Sequence, residues 1–239
     1  MERRNILLAE IVARRDDTQA AVLARFFRTG PGEYGEGDMF LGVKVPVTRS
    51  VVKQCWSRCT FSDLSQCMFS PFHEVRLAAL LTLIRIFKHA ENDPALQQKC
   101  VDFYLAHLDR INNWDLVDLS CYELLGMWLL DRDRTVLYEF ARNGRTIWEQ
   151  RIGIVSTMQF LRHGQLADTF AIAEILLPHT HDLIHKATGW LLREAGKRDK
   201  NALIVFLEAN HGAMSRTTLR YAIERFPETE RKMWLGKRA

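Results

Sequence analysis

Apolar residues recur along this chain with a three-to-four-residue period, and no stretch shows the alternation of a half-buried strand. That pattern confines the chain to helices packed on helices. The prolines respect it: Pro31, Pro46, Pro71, Pro94, Pro178 and Pro227 all stand at loop or helix-start positions, where a missing N–H costs little. Asp93-Pro94 reads as a cap followed by a first-turn proline. Ser70-Pro71 reads as the opening of a helix carrying Val75 to Phe87, with Val75, Ala79, Leu83 and Ile86 forming one buried stripe. Further helices are expected over 2–15, 18–29, 47–57, 62–69, 95–108, 115–130, 133–142, 147–162, 165–176, 181–196, 200–210, 215–224 and 228–235. The extended non-helical piece runs from Thr29 to Pro46 and holds Gly30, Gly32, Gly35, Gly37 and Gly42.

Short helices joined by short connections, with a pair spacing of roughly 35–45 residues, predict stacked antiparallel pairs. The expected architecture is one all-α, HEAT-like α-solenoid domain over residues 1–239, the second helix of each pair lining a concave surface. The repeat lies in helix rhythm and not in residue identity, so the rhythm alone reads equally as an irregular helical domain.

Composition narrows the class. Apolar residues make up 47% and charged residues 26%, a globular balance. No apolar run is long enough for a membrane span. The opening Met1-Glu2-Arg3-Arg4 leads into a short apolar run that soon meets Glu10 and Arg14, unlike a secretory leader, so a cytoplasmic protein is expected. Five scattered cysteines read as reduced, mostly buried thiols; Cys55 and Cys59 could share a helical face but lack two further zinc ligands. The net charge of +4, from 33 basic against 29 acidic residues, does not prove a nucleic-acid partner. The distribution of charge has to decide.

Four segments carry candidate chemistry. In Asn112-Asn113-Trp114-Asp115-Leu116-Val117-Asp118, Trp114 and Asp118 are four apart and project from one helical face. The plainer reading is a helix capped by Asn113 or Asp115, with Trp114 in the core. In Ile147-Trp148-Glu149-Gln150-Arg151, Arg151 leads into an apolar helix where its charge needs a carboxylate or phosphate; otherwise it is a surface arginine at a helix start. In the stretch from Lys186 to Arg198, Lys186, Trp190, Arg193 and Lys197 fall at i, i+4, i+7 and i+11. They form a stripe of base, aromatic, base, base that suits a phosphate backbone beside a sugar face, or else a solvated helix with a core tryptophan. Gly189 within it hints at close approach of another backbone. The glycine-rich stretch from Gly30 to Val43 lacks the Lys-Ser/Thr ending of a P-loop, which argues against nucleotide binding. His179, His181 and His185 lack the glutamate of a zinc-binding helix, so no metal is expected there.

Taken together, these segments resemble the AlkD-type DNA alkylation repair proteins. The resemblance rests on Asn113 to Asp118, Trp148 to Arg151 and Lys186 to Glu194, with Phe40 to Pro46 and Leu219 to Glu224, in order along nearly the whole chain. It implies a concave arc holding duplex DNA, and excision of N3- and N7-alkylated purines without a base-binding pocket. It implies a catalytic carboxylate at Asp118, deoxyribose contacts from Trp114 and Trp190, and backbone contacts from Arg151 and Arg193. Phe26 stands where a family member has tyrosine, which bears on the range of lesions.

The residues suit that chemistry. A cationic purine leaves neutral without a general acid, and the oxocarbenium-like sugar left behind needs a carboxylate. Asp118 is the expected stabiliser; Trp114 and Trp190 offer electron-rich faces to the developing cation. Arg151, Arg193, Lys186 and Lys197 would bind phosphates. No cofactor, no metal and no membrane are expected, and the protein is expected to act as a monomer on alkylated duplex DNA. Two rivals remain: a duplex-DNA binder that does not excise, and a protein-interaction scaffold, the common role of helical solenoids.

Overall fold

A computed structural model describes residues 5–237; the expected start of the first helix at residue 2 and the Met1-Glu2-Arg3-Arg4 opening lie outside them. Among the described residues there is no strand, only an isolated bridge between Met39 and Phe72. None of the described helices is long and apolar enough to cross a membrane. The fold is all-helical and α-solenoid-like, and its contacts divide into two compact units, Met1–Ser120 and Cys121–Ala239.

The first unit holds α1 (Ile6–Val12), α2 (Asp17–Phe26), α3 (Val45–Cys55), α4 (Phe61–Met68), α5 (His73–His89), α6 (Pro94–Ala106) and α7 (Trp114–Asp118). It is built around α5, which packs against α1, α3, α4, α6 and α7. The sequence dictates this: from Val75 to Phe87, Leu77, Ala78, Leu80, Leu81 and Ile84 are buried as well as Val75, Ala79 and Leu83. A helix apolar nearly all round can only lie inside. The single stripe expected there is therefore too narrow, and its fourth member, Ile86, is only half-buried. The helix also opens later than expected. Phe72 rather than Ser70 precedes its first turn, because Ser70 and Pro71 turn their carbonyls to Arg76 and Pro71 also pairs with Met39. Asp93 does cap α6, accepting from the Leu96 amide at 3.0 Å, with Pro94 in the first turn.

The second unit begins with a π-helical turn over Tyr122–Gly126. It continues through α8 (Thr135–Asn143), α9 (Ile147–Val155), α10 (Met158–Arg162), α11 (Ala167–Leu176), α12 (Asp182–Arg198), α13 (Lys200–Asn210), α14 (Arg216–Ala222) and α15 (Glu228–Gly236). Here α12 is central, touching α9, α10, α11, α13 and α14.

Two expected helices are interrupted. The one over 115–130 stops after Asp118 and resumes as the π turn; the one over 147–162 divides between Val155 and Met158. Both breaks carry a hydroxyl that bonds back to the preceding turn. Ser120 donates to the Leu116 carbonyl, and Thr157 donates to the Ile154 carbonyl at 2.7 Å. Such back-bonding competes with the backbone ladder and bends helices. The apolar period continues through both breaks, which is why periodicity misses them.

Gly189 bears out the close approach suggested by its place in the sequence. A Cβ there would lie 2.5 Å from the Tyr221 Cβ and 2.6 Å from the Thr218 carbonyl oxygen, both on α14. Helix propensity alone would make Gly189→Ala stabilising by ~1 kcal/mol. The contact with α14 backbone reverses the sign: overpacking of this kind costs about 1–3 kcal/mol, occasionally more. Gly189→Ala should lower the denaturant midpoint, and an unchanged or raised midpoint would show that α14 yields freely.

Candidate functional site

α7 has only five residues, too few to be stable as an isolated helix. Asn113 caps it by accepting from the Trp114 amide at 2.8 Å. Asp115, Leu116 and Val117 are buried, while Trp114 and Asp118, one turn apart, are both half-buried. The capping reading therefore holds for Asn113, but Trp114 is not a core residue. Its indole stacks on Phe27 with centroids 5.3 Å apart and meets the edge of Phe26 at 6.0 Å. Phe26 itself is 61% exposed.

Beneath α7 lies a cluster of charged groups that sequence reasoning did not single out. His73, 1% exposed, places Nδ1 3.0 Å from Asp38 Oδ2 and Nε2 2.9 Å from Asp115 Oδ2. Arg76 donates to Asp38 Oδ1 and, at 3.1 Å, to the Asn112 side chain. Burial pushes the His73 pKa down, but the charges and hydrogen bonds of Asp115 and Asp38 outweigh it and raise it to about 9. Burial likewise works against ionised Asp38, yet His73 and Arg76 bring its pKa below the ordinary carboxylate value. The His73 ring stacks on Phe40 at 4.7 Å and lies 5.0 Å from Phe27, so an aromatic column links it to Trp114.

The glycine-rich loop serves this cluster. Asp38 belongs to it, and the backbone amides of Leu41, Gly42 and Val43 all donate to the Glu74 carboxylate at 2.8–3.1 Å. Gly42 has φ +86, and a Cβ there would lie 2.0 Å from the Asp16 carbonyl oxygen, so no other residue fits. The loop thus cradles an anion after all, but the anion is the protein's own Glu74, 2% exposed. A signal was present: an acidic and a basic residue, Glu74 and Arg76, at the head of a helix buried nearly all round must find partners.

In the second unit, α12 presents the expected stripe. Trp190 and Lys186 are half-buried and Lys197 is exposed. Each cation has a carboxylate: Lys186 with Asp182 at 2.7 Å, Lys197 with Glu194 at 2.7 Å, and Arg193 with Glu194 at 3.3 Å and with Glu224. Arg151 is 5% exposed and donates to the Leu183 carbonyl in the first turn of α12, so it is not a surface arginine. His179 pairs with Gln150 at 2.9 Å and His185 with the His179 carbonyl. Among the described residues no cluster of His, Cys, Asp or Glu is arranged to hold a metal. Cys55, Cys67, Cys100 and Cys121 are buried and in no disulfide.

Comparison with known proteins adds an independent line. A family model described as DNA alkylation repair enzyme matches residues 7–226. A solved structure described as a predicted DNA alkylation repair enzyme from Enterococcus faecalis is similar to this chain, with a TM-score of 0.71 at 15% identity over 90% of this chain and 97% of that one. No curated protein matches.

The Glu74 cradle yields a stability prediction. Glu74→Ala leaves three buried amides without an acceptor, and each unsatisfied donor costs roughly 1–3 kcal/mol. Stability measured by denaturant should fall by about 3 kcal/mol or more, whereas Glu74→Gln, which keeps the oxygen accepting from all three amides, should lose less. Equal losses would show that the carboxylate charge matters more than the bonds.

Proposed function

This chain belongs to the DNA alkylation repair enzyme family, and from that premise we propose that it is a DNA glycosylase excising cationic N3- and N7-alkylated purines from duplex DNA. The observation that carries this reading is the pairing on α7. A half-buried indole and a carboxylate stand one turn apart on a helix held by buried charge. A protein that only gripped phosphates would gain nothing from a carboxylate on its binding face, which repels the polyanion. A reaction that leaves a positive sugar needs one.

In the proposed reaction the alkylated purine carries its own positive charge and departs neutral with the electrons of the glycosidic bond. Asp118 stabilises the oxocarbenium-like sugar and orients the water that adds to it; that water gives up a proton as the sugar hydroxyl forms. Trp114 packs against the deoxyribose, and Trp190 offers a further aromatic face to the sugars of the DNA. The base needs no pocket of its own.

For grip, Lys186, Arg193 and Lys197 bind phosphates. The pairs of Lys186 and Lys197 are partly exposed and worth only about 0–1 kcal/mol each, so a phosphate displaces the carboxylate there at little cost. Arg193, by contrast, is held in a more buried pair with Glu194. Burial of Arg151 supports a role in fixing the first turn of α12 more than a direct phosphate contact. The first unit has a basic surface of its own: Arg49, Arg85, Lys88 and His89 line a groove with Trp56 between α3 and α5, without a carboxylate in its lining. Its non-sequence-reading chemistry suits a phosphate backbone. One chain over residues 1–239 acting as a monomer on the duplex is part of this proposal.

Release of methylated purine from methylated duplex DNA tests it. Asp118→Asn should slow release by on the order of 10²–10³ with DNA affinity no lower than that of the wild type. If the wild-type protein binds the duplex and releases no methylpurine, it is a DNA-binding protein that does not excise. If it binds no duplex even at low salt, where counterion release makes binding strongest, the scaffold reading stands instead.

A further inference from the structure

We propose that His73 is a positioning residue for this site: as an imidazolium bridging Asp38 and Asp115, it locks α7, and with it Trp114 and Asp118, onto α5 and the glycine-rich loop. The inference rests on the proposed roles of Trp114 and Asp118 for its catalytic meaning, and on geometry for the rest.

The charge state follows from the contacts. A neutral imidazole has one N–H and one lone pair, and an ionised carboxylate can only accept. With Asp38 at 3.0 Å from Nδ1 and Asp115 at 2.9 Å from Nε2, a neutral ring would set a lone pair against a carboxylate. Charge balance agrees. Asp38 and Asp115 bring two negative charges into the interior and Arg76 brings one positive; a protonated His73 makes the cluster neutral. Oδ1 of Asp115 has no hydrogen-bond partner, so His73 is the group that compensates this carboxylate. The charged groups facing the ring are Asp38 from the loop and Asp115 from α7, with Arg76 on its own helix bonded to Asp38. Glu74, next in sequence, is committed to the loop amides. Phe27 and Phe40 cover the ring faces.

The mechanical consequence lies on α7. Asp115 is the residue after Trp114, and Asn113, the cap, donates to Asp38 at 3.4 Å. Both ends of the first turn of α7 are therefore tied to one ion cluster. Loss of the His73 proton would leave two carboxylates facing one guanidinium, and α7 would lose its anchor.

NMR of the imidazole and of α7 tests the proposal directly on the whole protein. At pH 7.5 both ring nitrogens of His73 should carry protons, and the ring should titrate near pH 9. In His73→Gln, the indole N–H of Trp114 and the amides of α7 should shift and broaden, with the remaining helices intact by circular dichroism. The sign of the pH dependence is set by the raised pKa. The contribution of His73 to stability is complete below the ordinary histidine value and fades as pH rises towards and through 9. Wild-type melting temperature should therefore drop across that range, and that of the variant should not. Methylpurine release by His73→Gln should fall tenfold or more at unchanged DNA affinity. Should His73→Gln fail to fold, Asp115→Asn, which removes one carboxylate and keeps the side-chain shape, provides the same comparison. A neutral His73 at pH 7.5, or an α7 unchanged in these variants, would overturn the proposal. A wild-type protein that releases no methylpurine while the NMR results stand would overturn the glycosylase reading and leave the lock in place.

Discussion

Four ionisable side chains, Asp38, His73, Arg76 and Asp115, meet in the interior of the first unit, and none could stay there alone. An isolated buried charge costs several kcal/mol even after relaxation. The cluster survives because each charge has a counterpart within hydrogen-bonding distance. Its members come from a loop, from α5 and from α7, so the cluster ties the three segments together. The five residues of α7 are too few to hold a helix alone; the cluster anchors them beside the Asn113 cap, the buried Leu116 and Val117, and the aromatic column from Phe40 through Phe27 to Trp114.

The glycine-rich loop lacks the Lys-Ser/Thr ending of a phosphate-binding loop. Yet three consecutive amides do converge on an anion, as in other backbone nests. Here the anion is Glu74, and the glycine at position 42 is required by its positive φ and by the backbone of Asp16 against it. A nest filled from within fastens the loop to the first turn of α5, where Asp38 then reaches His73.

What could be read from the sequence divides along a physical line. Interactions written into the helical period were legible: one buried stripe of the helix from Val75 to Phe87, though not its burial nearly all round, the Asp93 cap, the stripe from Lys186 to Lys197 and the close contact at Gly189. Those depending on a single side chain bonding back to its own helix were not, which is why Ser120 and Thr157 interrupt helices that the apolar pattern carries straight through. Pairings between distant segments were invisible for another reason. Asp182 and Glu194 lie within a turn of the lysines they meet, and spacing suggests them. Glu224 with Arg193, or Asp38 with His73, depends on how helices pack, and nothing local encodes it. Arg151 shows the same limit: its need for a partner was legible, but its bond to the Leu183 carbonyl was not.

The neutrality of the buried cluster also bears on the proposed chemistry. If the cluster carried a net negative charge, it would add to the repulsion between α7 and a phosphate backbone, and affinity would suffer throughout the surface. If it carried a net positive charge, it would oppose the sugar cation that Asp118 is proposed to stabilise. A balanced cluster does neither. It fixes the position of α7 and leaves Asp118 half-buried in a partly desolvated setting, where electrostatic interactions are stronger than in water. On this reading the protein separates two tasks that a single carboxylate could not perform together. Buried ions orient the helix, and one half-buried carboxylate meets the developing charge.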